Sequence, residues 1–225
     1  AYPRESGVRV LERKLAAICR KAAMKIVDGE KTVKITEKDL HEYLGAPRYF
    51  PERQALEERV GVVNGLAWTS VGGELLEVEV NVVPGSGKVE LTGNLGDVMK
   101  ESAHAALSFI RSQAERLGIS QNFYKERDIH VHFPEGAVPK DGPSAGIAIT
   151  TAIVSALTGV PVRRGLAMTG EVTLRGRVLP IGGLKEKTMA AFRNGIRTVI
   201  IPADNEKDLE EIDQTVRGAL QFHLV

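Results

Sequence analysis

The chain has 225 residues, 43% hydrophobic and 26% charged, enough apolar material for one sizeable core with a small appendage. Thirty basic residues face 29 acidic ones, and a net charge of +1 excludes a broad field for gripping nucleic acid or anionic lipid. The single cysteine, Cys19, cannot close an intrachain disulfide, no apolar run reaches membrane-spanning length and no signal peptide is visible, so a cytoplasmic protein with no metal site is expected.

Residues 5 to 27 place Val8, Leu11, Leu15, Ile18, Ala22 and Ile26 at helical spacing among many Arg and Lys, predicting an amphipathic helix stopped by Asp28-Gly29. A short strand is expected at Thr32 to Ile35, a helix start at Thr36 to Asp39 leading to Leu40 and Leu44, and an end at Gly45. Pro47, Pro51 and mixed charges mark a linker, which divides the chain into 1–46, a linker 47–60 and a second domain 61–225. Strands at 62–68 and 74–80 are expected to form a hairpin through a Gly72-Gly73 turn. A strand at Val89 to Leu91 follows, then a long helix from about Leu95 to Leu117, a strand at Ile129 to Phe133 and a loop from Pro134 to Pro143. Ser144 to Leu157 is almost wholly apolar and predicts a buried helix. A hairpin around Arg175-Gly176, a helix from about Leu184 to Arg193, a buried strand at Thr198 to Ile201 and a final helix from Glu206 complete the pattern. Helices alternating with hairpins predict a mixed α/β fold with antiparallel pairs rather than a doubly wound sheet.

The most informative segment is Pro139-Lys140-Asp141-Gly142-Pro143-Ser144-Ala145-Gly146. It delivers a serine to the first turn of a buried helix, where backbone N–H groups and the positive dipole end can stabilise an oxyanion. Read alone, it is more simply a helix N-cap, Asp141 or Ser144, with turn glycines. A serine nucleophile needs a base. His130 and His132 share one face of a strand, and His41, His104 and His223 have no distinguishing context; a structural role is the expectation for each. Lys187 has Leu184 three residues before it and Ala190 and Ala191 three and four after, so its side chain shares the apolar face of its helix. Such a lysine loses hydration and can be neutral near pH 7, or it can snorkel past the alanines to solvent.

Residues 61 to 225 resemble the protease domain of the Lon family, and the N-terminal piece resembles the end of that family's small helical AAA+ subdomain. The matching stretches are Pro139 to Gly146, Leu166 to Val172, Pro180 to Lys187 and Ile200 to Ala203. The resemblance implies a serine endopeptidase with Ser144 and Lys187 as catalytic dyad and backbone donors at Gly142 and Ser144. It implies that Thr169 hydrogen-bonds the lysine, and that Asp141 is the loop acid whose position separates open from blocked sites. Trp68, with Val138, Pro139 and Lys140, is implied to contact an extended substrate, and Arg9, in Gly7-Val8-Arg9, resembles a sensor-2 arginine that touches nucleotide. It further implies ATP and Mg in full-length relatives, homo-hexameric rings, and unfolded or degron-bearing polypeptides as substrates. No cofactor is expected for the peptide chemistry itself. Gly87-Lys88 lacks the rest of a phosphate-binding loop, so this chain is not expected to hydrolyse ATP. The family pattern also runs past Val225 into a further helix.

Two other readings compete. Gly142-Pro143-Ser144-Ala145-Gly146 fits the Gly-x-Ser-x-Gly pattern of α/β-hydrolase esterases, which requires a strand directly before the serine. A non-catalytic Lon-like assembly module would keep the fold but generally lacks the dyad.

Overall fold

The structure, a computed structural model, describes residues 2, 7–47, 58–69 and 72–225. Contacts divide the chain into two compact units, 1–52 and 53–225. Most of the expected linker, residues 48–57, lies outside the described residues.

In the first unit, α1 (Arg9–Val27) ends at Asp28 and Gly29, and α2 (Leu40–Leu44) ends at Gly45, whose φ of 79° suits only glycine readily. The start of the second helical piece is fixed by a capping box. Thr36 N and Oγ1 donate to Asp39 Oδ2 at 2.7 and 2.8 Å, and the Thr36 side chain also accepts the Asp39 amide. The strand expected at Thr32 to Ile35 does not form. Its β-branched residues find no ladder partner among the described residues, and an unpaired segment gains nothing from β-propensity.

The second unit is built on a seven-stranded mixed sheet. Its strands are β1 (Val62–Thr69), β2 (Gly72–Pro84), β3 (Val89–Thr92), β4 (Arg127–His132), β5 (Leu166–Met168), β8 (Thr198–Ile201) and β9 (Gln221–Leu224), in the order β3-β4-β2-β1-β5-β8-β9. The β4-β2-β1 part is antiparallel, and β3 and the β5-β8-β9 side are attached in parallel. β6 (Glu171–Val172) and β7 (Val178–Leu179) form a separate small hairpin. The mixed α/β class expected from the sequence is therefore the one observed.

Both sheet faces are covered. On one, α3 (Asp97–Ser112) and α5 (Gly146–Thr158) bury Met99, Ala103, Ile110, Ile149 and Ile153 against Val63, Val78, Val131 and Phe133. On the other, α6 (Leu184–Arg193) and α7 (Gln214–Ala219) pack Leu184, Ala191 and Val216 on Leu66, Ala167, Val199 and Ile201. Each fully buried Ile or Leu contributes about 1.5–3 kcal/mol. A short α4 (Phe123–Glu126) precedes β4.

The departures from expectation are local. Gly72 and Gly73 belong to the β2 ladder, opposite Thr69 and Trp68, rather than to a turn, and residues 70–71 lie outside the described residues. α3 is shorter than 95–117: turns occupy 113–118 and Ile119 N folds back to Ala114 O, burying Ala114 and Ile119 in the core. The final helix from Glu206 is instead a 3-10 run, Ala203–Glu211, followed by α7 and the unforeseen β9. Its charged sequence lacks a wide apolar stripe, whereas the edge of β8 offers β9 a parallel ladder.

Candidate active site

Loop 133–142 leads from β4 to a 3-10 turn, Pro143–Ala145, which runs directly into α5. Gly142 has φ 116°, a conformation that L side chains rarely adopt, so the sharp approach to Ser144 requires glycine. The turn is fastened to the segment after β5. Gly170 N donates to Ser144 O at 2.8 Å, Ile147 N to Gly170 O at 3.0 Å, and Thr169 Oγ1 to Ser144 O at 3.3 Å. A Cβ on Gly146 would stand 2.8 Å from Val172 N, so only glycine permits this approach.

Lys187 arrives from the first turn of α6. It is 3% exposed, and its Nζ donates to Thr169 Oγ1 at 3.1 Å. No carboxylate lies at ion-pair distance among the described residues, and loss of hydration alone pulls its pKa from 10.5 down to about 8. Thr169, wholly buried, thus accepts from the amine of Lys187 while donating to the backbone of Ser144. Two residues 43 positions apart are joined through one hydroxyl. α6 reaches this position because Gly73 has no side chain: a Cβ there would lie 1.9 Å from Glu186 O.

Ser144 and Lys187 line one cavity of about 650 Å³ together with Ala67, Trp68, Asp141 and Gly183. No direct hydrogen bond joins Ser144 Oγ to Lys187 Nζ among the described residues; catalytic hydrogen bonds often tighten only around bound substrate. Trp68 is 62% exposed at the cavity wall, against Gly183. Asp141 Oδ1 accepts Met99 N at 3.0 Å and Gly142 N at 2.8 Å, capping the start of α3 from outside the helix. The Gly142 amide is therefore occupied by Asp141 in this arrangement. Val138 and Pro139 are exposed, and the Lys140 ammonium donates to backbone carbonyls. No histidine lines the cavity. His130 and His132 both meet Thr92 Oγ1 instead, at 2.8 and 2.7 Å.

The strand-serine-helix elbow of an esterase is absent at this position, because β4 ends at His132 and a loop intervenes before Ser144. The amides of Ser86, Gly87 and Lys88 all donate to Asp128 Oδ1, so the one Gly-Lys turn of the unit is filled by a carboxylate and does not fit a nucleotide phosphate. Arg9 is the exposed first residue of α1 in the other unit. Among the described residues no group of three His, Cys, Asp or Glu is arranged to hold a metal, and no helix is long and apolar enough to cross a membrane.

Residues 34–225 match the family described as the Lon protease (S16) C-terminal proteolytic domain, and residues 1–35 match the Lon protease AAA+ ATPase lid domain. The chain belongs to the Lon protease family. It is 59% identical to the Lon protease of Brevibacillus choshinensis over 100% of its length, 60% identical to Lon protease 1 of Bacillus subtilis (strain 168) over 99%, and 58% identical to the Lon protease of Escherichia coli (strain K12) over 100%. It spans 29% of the length of each of those relatives.

Chemically, the cavity of this Lon domain holds a hydroxyl at a helix start, an amine of lowered basicity and a wall of strand and loop, a set suited to acyl transfer. Asn205 belongs to the same construction and was not foreseen. It is 1% exposed; its Oδ1 accepts Ile181 N and its Nδ2 donates to Ile181 O, both at 2.9 Å. It thereby clamps the Pro180–Gly183 loop that lines the cavity ahead of Lys187. A lone asparagine after a strand gives no sequence signal of such a contact.

Proposed function

We propose that this chain is the peptidase portion of a Lon-type serine endopeptidase, in which Ser144 is the nucleophile and Lys187 the general base. The observation that carries this reading is the buried amine of Lys187, with no carboxylate at ion-pair distance among the described residues, in the cavity that Ser144 lines. With a pKa of about 8, about 10% of the amines are neutral at pH 7, against about 0.03% for an ordinary lysine. Neutral Lys187 takes the hydroxyl proton as Oγ attacks the scissile carbonyl, then returns it to the leaving amine. Water, activated by the same amine, hydrolyses the acyl-enzyme. Amides at the start of α5, those of Gly142 and Ser144 foremost, stabilise the developing oxyanion, with Gly142 exchanging its bond to Asp141 for the substrate. Thr169 fixes the amine, Asp141 sets the pose of the loop, and Trp68 with Val138 and Pro139 borders an extended polypeptide.

On this reading residues 1–46 are the end of the ATPase lid, 47–60 the linker and 61–225 the peptidase. ATP, Mg, Arg9 as a nucleotide contact, hexameric rings, cytoplasmic location and unfolded or regulatory protein substrates belong to the whole protein. The test is hydrolysis of an unfolded fluorogenic protein and a short peptide by wild type, Ser144→Ala and Lys187→Ala. Loss in both variants supports the dyad. Activity surviving in Lys187→Ala refutes it, and a wild type without hydrolysis would favour a non-catalytic module.

A further inference from the structure

Lys140 stands where the loop ahead of Ser144 meets the segment after β3. Its backbone adds to that segment as a one-residue parallel bridge: Lys140 N donates to Asn94 O at 3.0 Å and Gly96 N to Lys140 O at 2.8 Å. Its side chain turns back on its own loop. Nζ donates to Glu135 O at 2.7 Å, Val138 O at 3.1 Å and Gly93 O at 3.4 Å, using the three donors of one ammonium. The only non-glycine residues with positive φ among those described are Asn94 at 60° and Glu135 at 62°, one in each segment that Lys140 ties. Asparagine tolerates this region, whereas a glutamate is held there only by its surroundings.

We infer that Lys140 is a positioning residue, a pin that holds two left-handed turns so that the loop delivers Ser144 to the cavity, rather than a group that meets substrate. This rests on the reading of Ser144 as nucleophile. A compact ammonium brings three donors to one point between the carbonyls, while a guanidinium spreads its donors in a wider plane and fits this site less well. An apolar side chain would leave the Glu135 turn held only by its Val138 N to Glu135 O bond, and displacing a reacting group by about 1 Å costs on the order of a hundredfold in rate.

The experiment compares wild type, Lys140→Met, Lys140→Arg, Glu135→Gly and the double variant Glu135→Gly/Lys140→Met. It measures kcat and KM on a fluorogenic peptide, and the rate at which diisopropyl fluorophosphate phosphorylates Ser144 with release of fluoride. Lys140→Met is expected to lose about ten- to a hundredfold in kcat and in Ser144 phosphorylation, with KM changed by less than about twofold, and Lys140→Arg to fall between. Glycine accepts φ 62° without support, so the double variant is expected to recover severalfold of the lost kcat. It also supplies the folded comparison if Lys140→Met does not fold. Unchanged kcat in Lys140→Met, a rise in KM alone, or a double variant no better than the single one overturns the proposal. Ser144→Ala run alongside separates the two readings. Hydrolysis surviving there removes the nucleophile and the pin that serves it, whereas its loss beside an unaffected Lys140→Met removes the pin alone.

Discussion

Replacing Lys187 by Met should make the protein more stable at neutral pH while abolishing hydrolysis. An amine with a folded pKa of about 8 and an ordinary value of 10.5 destabilises the folded state by about 3 kcal/mol once it is protonated in both states. The hydrogen bond to Thr169 that methionine cannot make offsets about 1 kcal/mol of this. The net gain at pH 7 is therefore about 2 kcal/mol, and methionine fits an apolar site of similar length. The sign with pH follows from proton counts. Below pH 8 folded and unfolded chains both bind the proton and the penalty is complete; between 8 and 10.5 only the unfolded chain binds it, so the penalty shrinks as pH rises. Urea unfolding at 25 °C of wild type and variant, from pH 7 to pH 10, reads the difference directly. The gap should close from about 2 kcal/mol to near zero by pH 10. A variant less stable than wild type at pH 7, or a gap independent of pH, would refute the claim that the amine is held against its hydration.

Thr169→Val removes the acceptor of the Lys187 amine and the donor to Ser144 O. A pH-rate profile should show kcat lowered by about tenfold and the midpoint of the rising limb moved down, since the charged amine loses its partner. Asn205→Ala leaves both backbone groups of the half-buried Ile181 without their partner; denaturant unfolding should show a loss of about 2 kcal/mol, with a lowered kcat. Gly73→Ala places a carbon on Glu186 O and should push α6 off the strand, costing about 2 kcal/mol in the same unfolding assay and most of the activity.

Where the sequence pattern was strong, the structure follows it. α6 and β8 have the expected bounds, because Leu184, Ala190 and Ala191 repeat at helical spacing and Thr198 to Ile201 is a β-branched run beside a glycine turn. The apolar run after Ser144 is a buried helix, although Pro143 to Ala145 tighten into a 3-10 turn before it, since Ser144 O bonds Gly170 N instead. What stayed hidden depends on contacts far apart in sequence. Nothing around Gln221 to Leu224 announces that β8 offers it an edge, and nothing around Thr32 to Ile35 announces that it finds no ladder partner among the described residues. For the site, periodicity put Lys187 on an apolar face, but only the fold brings Thr169 between it and Ser144. The Lys140 ammonium meets carbonyls of its own loop and of Gly93, and Asn205 meets the backbone of Ile181, partnerships that side-chain type alone does not reveal.

The most direct test of the account is the pH dependence of Ser144 acylation in single turnover, for wild type beside Lys187→Arg, whose guanidinium stays protonated. The account predicts a wild-type rate that rises with pH to a plateau with a midpoint near 8, the value set by burial of the amine, and no acylation in the variant. A flat wild-type profile from pH 6 to pH 10, or an arginine variant that acylates at the wild-type rate, would contradict it.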